Sequence, residues 1–169
     1  LKFLMPGWFA VVMGLAGLAL AWNRAVPAMG GAAGDVSLVI ALAAGIVFAF
    51  LAGASVVRAR RYADAFAEDF AHPVRHPFVA AIPISVILLA TASVALEGPS
   101  TWARAVWWTG SVAQLVVTAW VLAKWWRGNQ AGGIVWPSLT PALIIPVVGN
   151  VLVPLAGIPL GHDDWSAAQ

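Results

Sequence analysis

The chain has 169 residues, of which 62% are hydrophobic and 9% charged, with a formal net charge of +2 and no cysteine. Its mean hydropathy is +0.88, and a soluble domain of this size could not bury so much apolar surface. Without cysteine there is no disulfide framework, thiolate metal site or thiol chemistry, and function has to be sought in what crosses or docks to a bilayer.

Five apolar stretches, residues 3–22, 36–57, 78–96, 102–126 and 139–160, hold few charges, and the connections between them hold the rest. Each has about 19–25 residues, against the roughly 20 needed to cross a ~30 Å hydrocarbon core as a helix. The predicted fold is all-α and polytopic, a single membrane domain over residues 1–169 with five transmembrane helices. The first stretch is too long for a signal-peptide core and lacks a small-residue cleavage site. It carries Gly7, Gly14 and Gly17 after Pro6. Residues 23–35, with Pro27, Gly30, Gly31 and Gly34, read as a flexible turn.

The second stretch has a small-residue ladder, Ala41, Gly45, Ala49 and Gly53, that lets another backbone approach closely. Residues 58–77 read as an extension of the second helix into the headgroup region. Tyr62, Phe66 and Phe70 share one face there, Arg60 and Asp64 stand at pairing distance, and a partner-binding amphipathic helix is the alternative. The third stretch contains Pro83. The fourth is rich in Leu, Val and Trp and lacks proline. The fifth contains Pro141, Pro146, Pro154 and Pro159 with Gly149 and Gly157.

Proline within a helix leaves the carbonyl four residues back without its partner. Here those carbonyls belong to Val79, Ala142 and Asn150, and in lipid they need a neighbouring helix or a water-filled path. Odd-numbered spans therefore read as interior and even-numbered ones as peripheral, with simple kinking in a packed bundle as the alternative. Polar groups within the spans are few: Ser55, Ser85, Thr91, Ser93, Gln114, Thr118 and Asn150. Asn150, between two prolines and beside Gly149, is the foremost candidate for a pore contact. Its other reading is a helix–helix hydrogen bond worth about 0.6–2 kcal/mol. The pore-lining candidates are Gly14, Gly17, Pro83, Ser85, Pro146 and Asn150.

Trp8, Trp22, Trp102, Trp107, Trp108, Trp125, Trp126, Trp136 and Trp165 stand near segment ends and read as interfacial anchors, with Trp120 deeper. His72 and His76 have a helical i, i+4 metal spacing, but Pro73 and Pro77 disfavour helical geometry at both. His162, Asp163 and Asp164 read as a solvated outer cluster. No histidine within a span could hold haem, no nucleophile–base or carboxylate pair suggests catalysis, and no metal or cofactor is expected. The basic residues flank spans and carry no argument for nucleic acid.

Seven of the nine Lys and Arg (Lys2, Arg58, Arg60, Arg61, Arg75, Lys124 and Arg127) fall on one side, and only Arg24 and Arg104 on the other. The positive-inside rule makes the first side, with the amino terminus, cytoplasmic in a cell inner or plasma membrane, and residue 169 external. No Asp, Glu or His lies inside a span, which favours a channel or passive conduit over a proton-coupled pump.

Four motifs in order, MPGWFAVVMGLAGLALAW (5–22), HPVRHPFVAAIPIS (72–85), WTGSVAQLVVTAWVLAKWW (108–126) and PSLTPALIIPVVGN (137–150), resemble the tellurite-resistance/dicarboxylate transporter family. That family includes the slow-type anion channels of plant guard cells. The resemblance implies a ten-helix fold of five hairpins with odd-numbered helices lining the pore, of which this chain is the amino-terminal half. It further implies trimers with one pore per subunit. The implied cargo is chloride, nitrate, malate and other C4-dicarboxylates, sulfite or tellurite. The family's aromatic gate lies in a later helix, so no residue here inherits it. Physics alone does not select anions, because proline-freed carbonyls are acceptors and anions need donors. A proton-coupled dicarboxylate carrier and a non-transporting membrane scaffold remain the alternatives.

Overall fold

The structure, a computed structural model, describes residues 3–72, 75–130 and 141–161. Lys2, Pro73, Trp136, Leu139, His162, Asp163, Asp164 and Trp165 lie outside the described residues. Four helical segments are long and apolar enough to cross a membrane: Pro6–Met29, Gly31–Arg61, His76–Glu97 and Thr101–Lys124. Helices satisfy their own backbone groups, which lipid cannot do for them. The chain is thus an all-α polytopic membrane protein.

Helix α1 (Ala10–Met29) is entered through a 3-10 turn at Pro6–Phe9, where proline's missing N–H costs little. The expected loop at 23–35 shrinks to one residue. Pro27 is accommodated within α1, Gly30 reverses the chain, and α2 (Gly31–Arg61) starts at once. Gly30 has φ +76°, a conformation that glycine adopts without strain, and its N–H caps α1 at Val26 O, 2.8 Å away. The two helices form a tight antiparallel hairpin, tied inside by Ser37 Oγ donating to Ala19 O at 2.7 Å.

Helix α2 ends at Tyr62 (φ −137°), and α3 (Ala63–Ala71) sets off in a new direction, so the expected straight extension is bent. The bend changes the ion pairing. Arg60 and Asp64 are both exposed, while Arg58 reaches Asp69 at 2.7 Å with both side chains buried. Arg58 also donates to Ala65 O at 3.1 Å, and Arg75 approaches Asp69 from the other side at 3.1 Å. Phe66 and Phe70 stack as their spacing suggests, with centroids 4.8 Å apart, and Phe70 meets Trp120 edge-on. Tyr62, at the break, is exposed and leaves that face.

Helix α4 (Ala81–Glu97), led in by a 3-10 turn at His76–Ala80, is the most enclosed span. One side packs Ile84 and Leu88 against Phe9, Val12 and Ala16 of the first span and Ala44 of the second. The other packs Ile87, Ala90 and Val94 against Ala103, Trp107, Val153 and Ala156. Helix α5 (Thr101–Gln130) lies close to α4 because residue 110 is glycine. A Cβ there would stand 2.9 Å from Ile87 Cγ1 and 3.2 Å from its backbone nitrogen.

Two expectations change at this point. The fifth stretch is not one continuous span. It is a 3-10 turn (Pro141–Ile144), α6 (Ile145–Asn150), a turn, and α7 (Pro154–Gly157). Pro146 and Pro154 lack the N–H groups that a continuous helix needs. The chain instead closes shorter i→i+3 bonds, from Val151 to Val148 O, Leu152 to Gly149 O and Val153 to Asn150 O. Burial also does not alternate simply by span number. The third span is enclosed, but the first exposes much of its length and the fourth carries a buried polar face of Ser111, Gln114 and Thr118. Trp107, expected at the interface, is fully buried, because its indole N–H donates to Val153 O at 2.9 Å in the broken fifth stretch.

Candidate functional site

The ends of α1, α4 and α7 converge on a groove of about 560 Å³ whose lining, among the described residues, comes from the last turns of α1, from α4 and the turn after it, and from the fifth stretch. Asn23 and Arg24 come from α1, Thr91 and Val94 from α4, and Leu155 from α7. Among the described residues Arg24 is the one charged residue in that lining, and it makes no ion pair there. Its guanidinium offers five N–H donors and a positive charge. Thr91 has spent its proton on Ile87 O, 2.8 Å away on its own helix. Among the described residues the groove is therefore mostly apolar with one cation that has no ion-pair partner, which suits an anion.

A line of small residues leads to it. Ala10, Gly14, Gly17, Ala21 and Arg24 recur at intervals of three and four on the exposed side of α1. A Cβ added at Gly14 or Gly17 would meet nothing within 4 Å.

The other pore-lining candidates fall in two different places. Pro83 and Ser85 are buried in α4. Ser85 Oγ lies 2.7 Å from Ala81 O and 3.1 Å from Phe9 O, tying the third span to the start of the first. Pro146 and Asn150 are brought together at the crossing of α5 and α6. Gln114 Nε2 donates to Pro146 O at 2.6 Å, and Thr118 Oγ1 lies 2.8 Å from the same oxygen and from Gln114 O. Asn150 Nδ2 and Gln114 Nε2 each donate to Thr118 Oγ1 at 3.3 Å. Gln114 Oε1 and Asn150 Oδ1 are buried with no hydrogen-bond partner among the described residues. The approach depends on Gly149, where a Cβ would stand 2.4 Å from Gln114 Nε2 and 2.7 Å from Ile84 Cδ1.

Several backbone oxygens accept a side-chain donor from another element. Ser37, Ser85, Gln114, Thr118 and Trp107 each direct a donor to a backbone oxygen on another element, and Asn150 O accepts from Val153 N–H at 3.2 Å. These bonds tie one element to the next. Among the described residues no group of three or more His, Cys, Asp or Glu converges as a metal site would. His76 is buried, with Nδ1 3.1 Å from His72 O.

Sequence reasoning missed Arg24, Asn23 and Thr91 as one lining, because they join only when three separate segments meet. It also took the fourth span as peripheral. The i, i+4 pair Gln114 and Thr118, on one face of an otherwise apolar helix, was the available signal.

Two comparisons bear on the family. No curated protein gave a significant match to the chain. Residues 4–169 match the model of the SLAC1 family, described as voltage-dependent anion channel. With nearly the whole chain covered by that match, and with four membrane-length helices among the described residues, the chain belongs to the voltage-dependent anion channel family, whose business is the movement of anions across a membrane.

Proposed function

We propose that this chain forms part of the wall of an anion-conducting path, with the groove between the first, third and fifth stretches as its outer mouth and Arg24 as the fixed positive charge there. The observation that carries the reading is Arg24, without an ion-pair partner among the described residues, in a groove formed where the end of α1 meets α4 and the fifth stretch. The small-residue stripe of Ala10, Gly14, Gly17 and Ala21 continues the path along α1. It offers little side-chain bulk to a permeating ion. Ser85 and Pro83 support that wall from behind, and Asn150 with Pro146 fixes the fifth stretch against the fourth.

The cargo in this reading is chloride, nitrate, sulfite, tellurite or a C4-dicarboxylate such as malate, moving passively. The assembly is a trimer with one path per subunit and ten helices in each. The chain sits in a cell inner or plasma membrane with its amino terminus in the cytoplasm, following the bias of Lys and Arg. Labelling of Arg61→Cys from outside intact cells would reverse that orientation.

The test is anion flux from liposomes containing the full-length gene product, for Arg24→Gln and Arg24→Lys beside the wild type. A unit charge about 5 Å from the ion in water-like surroundings contributes about 0.8 kcal/mol. Arg24→Gln is therefore expected to lower flux roughly fourfold at low salt, less at high salt, with Arg24→Lys near wild type. Equal flux for all three would remove Arg24 from the path. Absence of flux in the wild type would favour the scaffold, and flux that needs a proton gradient would favour the coupled carrier.

A further inference from the structure

A second cavity lies on the opposite side of α4, between α2, α4 and α5, and the anion reading makes no use of it. Its volume is about 610 Å³. The floor is made of small residues, Ala41, Gly45 and Ala49 of α2 with Ala92 of α4. A Cβ added at Gly45 would meet nothing within 4 Å, so the ladder leaves room that no other part of the described chain fills. Bulky apolar side chains, among them Ile46 and Leu89, form the walls. At one end the lining turns polar and aromatic, with Glu97 and Trp102. Glu97 is exposed and makes no ion pair among the described residues, and Trp102 is half exposed.

We propose that this groove binds one phospholipid with an ammonium headgroup, an acyl chain lying over Gly45 and the ammonium held by Glu97 and Trp102. Three features select this occupant. From Leu38 to Ala49 the groove follows eleven residues of helix, about 16 Å, close to the ~15 Å depth of one leaflet. Its lining is apolar along that length and acidic only at the end, where a headgroup would sit. A carboxylate beside an indole attracts an ammonium group by charge and by cation–π contact, and it repels an anionic headgroup.

The experiment is native mass spectrometry of the purified full-length protein, delipidated and then incubated in micelles with phosphatidylethanolamine or phosphatidylglycerol of equal chain length. One bound phosphatidylethanolamine per chain is expected, retained on the order of fivefold better than phosphatidylglycerol. Glu97→Gln, an exposed change that leaves packing untouched, should abolish the preference while keeping some retention of both lipids. Gly45→Phe, which projects into open space, should abolish retention of either. Equal retention of the two lipids by the wild type, or unchanged retention in both variants, would overturn the proposal. So would efficient disulfide cross-linking of Gly45→Cys between copies in the native membrane, since a protein would then occupy the groove.

Discussion

Thr118→Val removes a single hydroxyl and keeps the volume of the side chain, yet it should be more damaging than Gln114→Leu, which removes a whole amide. The hydroxyl of Thr118 is the acceptor for Asn150 Nδ2 and Gln114 Nε2, both at 3.3 Å. Asn150 Oδ1 already has no partner, so in Thr118→Val the buried Asn150 amide is left with none. A buried polar group stripped of its partner costs about 1–3 kcal/mol, and about 2 kcal/mol is expected. In Gln114→Leu the bond to Pro146 O is lost, worth about 1 kcal/mol. Thr118 Oγ1, 2.8 Å from that oxygen, can still serve it, and the partnerless Gln114 Oε1 disappears with the substitution. The net cost should stay below about 1 kcal/mol. The decisive arm is rescue. Asn150→Leu in the Thr118→Val background replaces both partners by apolar groups, which is close to neutral. The double variant should then be more stable than Thr118→Val alone by about 1–2 kcal/mol. Unfolding free energies in mixed micelles with rising SDS, followed by tryptophan fluorescence, measure all five proteins, the wild type and Asn150→Leu alone included. If Thr118→Val and Asn150→Leu simply add, the hydroxyl–amide contact does not organise this crossing and the reasoning fails.

Gly149→Ala should destabilise by about 1–3 kcal/mol, since its Cβ would stand 2.4 Å from Gln114 Nε2 and 2.7 Å from Ile84. Gly14→Ala, where no atom lies within 4 Å, should be neutral or better, and thermal melting of the two decides. Asp69→Asn should cost about 3–5 kcal/mol by leaving the buried Arg58 guanidinium without its carboxylate. Arg75→Ala, removing a partner more than a third exposed, should cost less than about 1 kcal/mol. Equal melting temperatures for those two variants would count against a structural role for the Arg58–Asp69 pair.

What could be read directly from the sequence was whatever depends on a sum over neighbours along the chain. Hydropathy over twenty residues marks a span wherever it packs, so the four long helices were legible from apolar runs, whereas the fifth run, read as a span with prolines in it, divides into short helices at Pro146 and Pro154. The same holds for Phe66 and Phe70, whose spacing alone puts them on one face. The hairpin at Gly30 was misread as a long loop because glycine and proline mark a break without saying how few residues it needs. Arg58 displaced Arg60 as the partner of a carboxylate once the chain bent at Tyr62, and that backbone angle is not a property of any one residue type. Trp107 and Gln114 looked like an interfacial anchor and a peripheral polar group, and both proved to be donors to carbonyls of the fifth stretch. Arg24 became part of a site only when the ends of three segments met around it. Those outcomes belong to the tertiary structure for one physical reason. A backbone oxygen in lipid must find a donor, and which side chain supplies it depends on which helix faces meet, a relation between segments distant in sequence.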